Sequence, residues 1–194
     1  MVSGLREDGS SPAYAVPTSL KVVVAGGLGA GKSTLVGSVS EITPLHTEEV
    51  YTTKDPRTGV RRSSTVTMDF GWLTFDEDLV LYLFSAPGQE GLWPLWDEVA
   101  LGALGAIVLA DTNRLSDCFA AIDYFEQRGT PFMIAVNPFF GRQSFDLPTV
   151  RAALALRPGV PVVQCDVRDP RAGRELLVTL IEHVHTRTMA EAAA

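Results

Sequence analysis

The stretch from Gly26 to Thr34 constrains this chain more than any other. Gly26, Gly27, Leu28, Gly29, Ala30, Gly31, Lys32, Ser33 and Thr34 satisfy G-x-x-x-x-G-K-[ST]. The glycines of this pattern let successive backbone N–H groups turn inward as an anion-binding nest. Residues 20–25, Leu-Lys-Val-Val-Val-Ala, read as a buried β-strand before it, and residues 33–39 as the start of a helix after it. That helix start adds unpaired N–H groups and partial positive charge. Lys32 is placed to reach the β- and γ-phosphates, and the Ser33 hydroxyl to coordinate Mg²⁺. Strand, glycine loop and helix in this order point to a bound nucleoside phosphate.

Composition narrows the partners. The 194 residues suit one domain with a sizeable core, and 46% hydrophobic with 20% charged residues suits a globular one. The net charge is −7 and no run of five or six basic residues occurs, which argues against nucleic acid and anionic membrane as partners. Cys118 and Cys165 belong to no C-x-x-C pair, so metal and dithiol chemistry find no support and two buried free thiols in a reducing cytosol are expected. There is no apolar run of membrane-spanning length, no signal-peptide pattern and no lipidation motif. A cytoplasmic protein without a direct membrane anchor is expected.

Taken in order, residues 1–19 read as a disordered arm. The first helix runs to about Glu41, and residues 45–64 form a long polar segment of the kind that is functional or mobile. Near-alternating residues 66–75, an acidic turn at 76–78 and apolar residues 79–84 read as an antiparallel hairpin. A helix then carries Leu92, Trp93, Leu95, Trp96 and Val99. Strands follow at 106–110, 131–136 and 160–164, with helices between and after them. The first of those helices places Leu115, Cys118, Phe119, Ile122 and Phe125 inward and ends at Gly129; the others span 149–156 and 172–184, and residues 188–194 read as a frayed tail. This alternation implies a mostly parallel six-stranded sheet with one antiparallel edge strand and helices on both faces. Ligands bind such sheets beyond the strand C-termini, here at the glycine loop and at residues 85–91, 111–114, 137–142 and 166–169.

Over residues 20–185 the chain resembles a Ras-like P-loop small GTPase, with a domain spanning 20–187. More narrowly it is similar to the bacterial branch that includes the gliding-motility polarity GTPase MglA. It looks closest to the actinobacterial conservon GTP-binding proteins, through Thr65-Val-Thr-Met-Asp-Phe-Gly71, Leu83-Phe-Ser-Ala-Pro-Gly-Gln89 and Leu115-Ser-Asp-Cys-Phe119. The resemblance implies a three-layer fold, GTP and GDP as ligands, and Mg²⁺. It places Thr65 where a switch threonine coordinates the metal, Gly88 where an N–H touches the γ-phosphate, and Gln89 where a side chain orients the attacking water. It also implies a roadblock-type regulatory partner and a sensor-kinase-like membrane protein, which would recruit the chain to the membrane.

Several positions depart from the family. Ser85 stands where an aspartate helps hold Mg²⁺ through water, so weaker metal binding is expected. Asn137 matches the first residue of the guanine-reading N-K-x-D motif, but Phe140 replaces its aspartate and cannot accept the two N–H bonds of guanine. Asp146 lies nearby at a different offset. Asp166, Val167 and Arg168 would surround the base, with backbone N–H groups free to read a base carbonyl. Leu28 crowds the path of an arginine donated in trans, and Arg61 or Arg62 is a candidate for acting in cis on transition-state charge, against a solvated pair. Trp93 and Trp96 read equally as core and as a partner surface. Asp111 reads first as a cap of the next helix and second as a stand-in metal carboxylate.

The expected function is a GTP-binding molecular switch with slow Mg²⁺-dependent hydrolysis, acting through residues 45–65 and 85–96. The alternatives, motivated by Ser85 and Phe140, are a non-catalytic nucleotide-binding scaffold (a pseudoGTPase) and an ATP-binding protein.

Overall fold

The computed structural model describes residues 17–54, 61–76, 78–88, 92–138 and 145–193. Strand β1 (Thr18–Gly26) leads into the glycine loop and helix α1 (Lys32–Val39). Strands β2 (Leu45–Lys54), β3 (Arg61–Asp76) and β4 (Leu79–Ser85) follow. Helix α2 (Trp93–Ala100), strand β5 (Gly105–Ala110), a short 3-10 turn (Leu115–Cys118) and helix α3 (Phe119–Arg128) come next. Strand β6 (Phe132–Val136), helix α4 (Leu147–Ala153), strand β7 (Val162–Gln164) and helix α5 (Pro170–Ala192) complete the chain.

The sheet order is β2-β3-β4-β1-β5-β6-β7. β1 pairs in parallel with β4 and β5, and β5–β6 and β6–β7 are also parallel. β3 runs antiparallel to both of its neighbours. The α/β class is the expected one, but among the described residues the sheet has seven strands rather than six, and its antiparallel strand lies inside the edge. The additional strand is β2. Thr47, Val50, Tyr51, Thr52 and Thr53 make it rich in residues that suit a pleated surface, and it pairs from Leu45↔Phe70 to Lys54↔Arg61. Charged and hydroxyl side chains hid that pattern, because an edge strand open to solvent needs no apolar face.

Alternation along β1 builds the two cores. Val22 and Val24 face α1 and α5, in a cluster with Leu35, Leu83, Leu109, Leu177 and Leu180. Val23 and Ala25 face the other layer, with Trp96, Ile122, Phe125, Ile134 and Val150. Each central strand is thus buried on both faces, as a parallel sheet between helices requires. Phe119, expected inward, is 41% exposed. It opens α3 after the 3-10 turn, and the change of helical pitch takes it off the face that buries Ile122 and Phe125. Gly129 ends α3 in the left-handed conformation (φ 66°). α5 runs on to Ala192, through most of the segment read as a frayed tail.

Candidate functional site

The glycine loop leaves β1 in the middle of the sheet and enters α1 at Lys32, so its N–H groups gather at the sheet's C-terminal edge. Gly31 has a φ of 107°, and a Cβ there would lie 2.7 Å from the Asn137 amide nitrogen. Only glycine fits that turn. Two second-layer contacts brace the loop. Asn137 donates from Nδ2 to the Ala30 carbonyl (3.0 Å) and accepts from the Val167 N–H (3.4 Å). Arg114 donates from Nη2 to the Leu28 carbonyl (2.7 Å) and is itself held by Asp111 Oδ2 (3.4 Å).

Lys32 spans the loop, donating from Nζ to the carbonyls of Gly26 (3.0 Å) and Gly27 (2.9 Å). Burial lowers its pKa to about 8 against the opposing pull of Asp69. Gly88 closes over the ammonium: a Cβ on Gly88 would lie 2.7 Å from Lys32 Nζ and 2.9 Å from the Leu28 nitrogen. The residue expected to meet the outermost phosphate therefore abuts the lysine that would share it.

A carboxylate stands beside Ser85 on the adjacent strand. Asp69 on β3 is 5% exposed, and its Oδ2 accepts from the hydroxyls of Ser33 (2.7 Å) and Ser85 (2.9 Å). The Asp69 N–H in turn donates to Ser85 Oγ (2.6 Å). His46 Nδ1 lies 2.6 Å from Asp69 Oδ1. Burial pushes the Asp69 carboxyl up, but hydrogen bonds from Ser33, His46 and Ser85 outweigh it and hold the pKa below its ordinary value. The His46 pKa is raised, chiefly by the same hydrogen bond.

Ser33 and Asp69 therefore place hard oxygen donors side by side at the mouth of the loop, the donor type Mg²⁺ takes. Among the described residues no cluster of three His, Cys, Asp or Glu could hold a metal without help.

Two cavities flank the loop. One of about 210 Å³ is lined by Leu28, Lys32, Ser33, Thr67, Asp69, Ser85, Pro87 and Gly88, among others. The second, about 180 Å³, is lined by Gly29, Gly31, Thr34, Asn137, Pro138, Val167 and Arg168. Gly29, Gly31 and Thr34 border both, so a ligand with a phosphate tail and a ring can straddle the loop.

Gly26 to Thr34, Gly88, Asn137, Val167 and Arg168 thus come together around these cavities. Asp166 stands behind them, its carboxylate taken by Arg168 (Nε 2.8 Å, Nη2 2.7 Å), whose hydrogen bonds hold its pKa at about 2. Asp146 caps α4, accepting from the Thr149 N–H at 2.9 Å. Asp111 is buried and accepts from the Asn113 N–H (3.0 Å), turning its own loop. Trp96 is core: 6% exposed, edge-on to Tyr124 at 5.1 Å, and donating from Nε1 to the Pro87 carbonyl (3.1 Å).

Other expected site residues are not brought in. Thr65 is exposed and lines neither cavity; four residues along β3 from Asp69, it is about 13 Å away. Arg61 pairs with Lys54 at the far end of the β2–β3 ribbon, eight residues or about 27 Å from Asp69. Arg62 is one step nearer on the same strand. The reason is the ladder itself, which holds straight the stretch expected to reach the phosphates as a loop. Gln89, Phe140 and the side chains of Arg62 and Trp93 lie outside the described residues. Among the described residues no helix is long and apolar enough to cross a membrane.

No curated protein matches the sequence. Among solved structures the fold is similar to the G domain of the T. maritima FeoB iron transporter, with a TM-score of 0.57 and 18% identity over 86% of this chain and 99% of that one. The FeoB G domain from Methanococcus jannaschii gives a TM-score of 0.58 and 15% identity, over 87% and 99%. The cytosolic domain of T. maritima FeoB in a GDP form gives 0.61 and 20%, over 87% of this chain and 64% of that one. At these identities the likeness is one of fold, a G-domain-like α/β sheet around a phosphate loop. Residues 24–187 match a family model, and the chain belongs to the family described as conserved hypothetical ATP binding protein.

Proposed function

We propose that the protein is a Mg²⁺-dependent nucleotide switch that binds GTP and GDP and hydrolyses GTP slowly. One observation carries this reading. Lys32, Ser33, Asp69 and Gly88 converge on one cup, where phosphate charge, metal and a nucleotide-sensing backbone N–H would meet. Lys32 would hold the outer phosphates. The Ser33 hydroxyl would bind the metal directly and Asp69 would hold one of its waters, doing from β3 what an aspartate at Ser85 would do from β4. When bound, Mg²⁺ supplies charge neutralisation at the β- and γ-phosphates.

Slow turnover suits a switch, which works by differential affinity between two nucleotide states. Trp96 ties the Pro87–Gly88 backbone to α2, so a pull on Gly88 by a γ-phosphate would reach α2. The solved FeoB cytosolic domain in a GDP form supports a guanine nucleotide. By resemblance, the partners are a roadblock-type regulator and a sensor-kinase-like membrane protein that brings a cytoplasmic protein to the membrane.

A second reading, binding of ATP, is favoured by the family description and by the base cavity, whose described lining contains no carboxylate to read guanine. Competition of GTP and ATP against a fluorescent nucleotide on purified protein tests both. Preference for GTP of tenfold or more supports the first reading, and preference for ATP replaces it. Mg²⁺-dependent γ-phosphate release that is lost in Lys32→Ala supports a slow enzyme, whereas binding with no release makes the protein a scaffold.

A further inference from the structure

The Asp69 carboxylate has an unusual holder. Its Oδ2 is fixed by two hydroxyls from the loop and from β4, while Oδ1 is fixed by a single imidazole from the edge strand, His46 Nδ1 at 2.6 Å. The imidazole is half exposed while the carboxylate is buried. An ion pair with one partner so exposed adds little to stability. Its leverage lies in direction. A carboxylate pivots about its Cβ–Cγ bond, and with Oδ1 tethered the plane of the group is set, so the Oδ2 that accepts from the Ser33 hydroxyl is held at the mouth of the loop.

Resting on the Mg²⁺-nucleotide reading above, we propose that His46 is a positioning residue for the metal: it orients Asp69 so that the ion beside Ser33 is retained. The role depends on β2 keeping its register. His46 lies opposite Asp69 in the β2–β3 ladder, and a one-residue slip would carry the ring to the other face of the sheet. Metal retention is thereby linked to β2, which stands at one end of the sheet formed by the described residues.

The test is the Mg²⁺ concentration that half-maximally slows release of mant-GTP, with mant-ATP run in parallel, from the full-length protein. His46→Ala should raise that midpoint about tenfold, the low end of what loss of a partner behind a metal site costs. Release in EDTA, where no metal needs orienting, should stay unchanged. His46→Asn puts an amide nitrogen near the position of Nδ1 and should restore the midpoint to within about threefold. His46→Gln reaches only the Nε2 position and should behave like alanine; thermal melts in EDTA confirm that each variant folds. A His46→Ala midpoint within twofold of wild type, or Asn and Gln behaving alike, overturns the inference while leaving nucleotide binding standing. Should the wild type release both probes at a rate indifferent to Mg²⁺, the metal reading and this inference fall together.

Discussion

Asp69→Asn separates a metal carboxylate from a structural one. The change keeps shape and one acceptor oxygen but removes the charge that Ser33, Ser85 and His46 surround. A unit charge attracts another by about 1 kcal/mol at about 4 Å in a water-like dielectric, so a divalent ion one water away loses about 2 kcal/mol. That corresponds to an Mg²⁺ midpoint about 30-fold higher, inside the range of about 10–100-fold seen for supporting groups at metal sites. Metal-free nucleotide should respond with the opposite sign. Without Mg²⁺ the carboxylate repels the phosphates, so Asp69→Asn should tighten binding in EDTA by several-fold. Stopped-flow release of a fluorescent nucleotide across a Mg²⁺ series, repeated in EDTA, reads both numbers. Equal weakening in both conditions would mean that the variant merely damages the cup, and an unmoved Mg²⁺ midpoint would refute the assignment of Asp69.

Other expectations follow from the same geometry. Lys32 has a pKa of about 8 in the free protein, and phosphate should restore its ordinary basicity. Below pH 8 the ammonium is present before and after binding and affinity is flat; above pH 8 binding must take up a proton, so affinity falls with pH, and calorimetry in buffers of different ionisation enthalpy at pH 8.5 should show that uptake. Burial pushes the Cys118 thiol up to about 12 and the Cys165 thiol to about 11, so neither should react with a thiol reagent at pH 8 until the chain unfolds. Trp96→Ala empties a site against Tyr124 and Phe125 and frees the Pro87 carbonyl, which should cost about 3–5 kcal/mol in urea unfolding. Asn137→Ala removes the brace between Ala30 and Val167 and should weaken nucleotide binding at least tenfold while leaving the far-UV spectrum unchanged.

The phosphate loop was legible because its chemistry is local: glycines, lysine and serine act within nine consecutive residues, between a strand and a helix that periodicity reveals. The parallel strands were legible for a related reason. Burial on both faces makes Val22–Ala25 and Ala106–Ala110 continuous apolar runs. β2 was not legible, since an edge strand lined by Glu48, Glu49, Thr52 and Thr53 carries the composition of a loop. That one strand misdirected the site, because residues imagined on a free segment, Arg61, Arg62 and Thr65, are held in a ladder.

Asp69 was missed although a signal existed. A hairpin turning at residues 76–78 places position 69 opposite position 85, so the aspartate missing from one strand faces an aspartate on its neighbour. Reading Ser85 by itself concealed the exchange. His46 gave no such signal, because its contact depends on the register of a strand that the sequence does not announce.

The central claim is that the cup at the start of α1 grips a nucleotide's phosphates with a metal that Ser33 binds and Asp69 supports through water. Titrating GTP and ATP into the full-length protein by calorimetry, with Mg²⁺ and then with EDTA, tests it most directly. Micromolar or tighter one-to-one binding of one of the two, weakened at least tenfold by EDTA and abolished by Lys32→Ala, is the expected result. No heat with either nucleotide in the presence of Mg²⁺, from protein whose melt shows it folded, would contradict it.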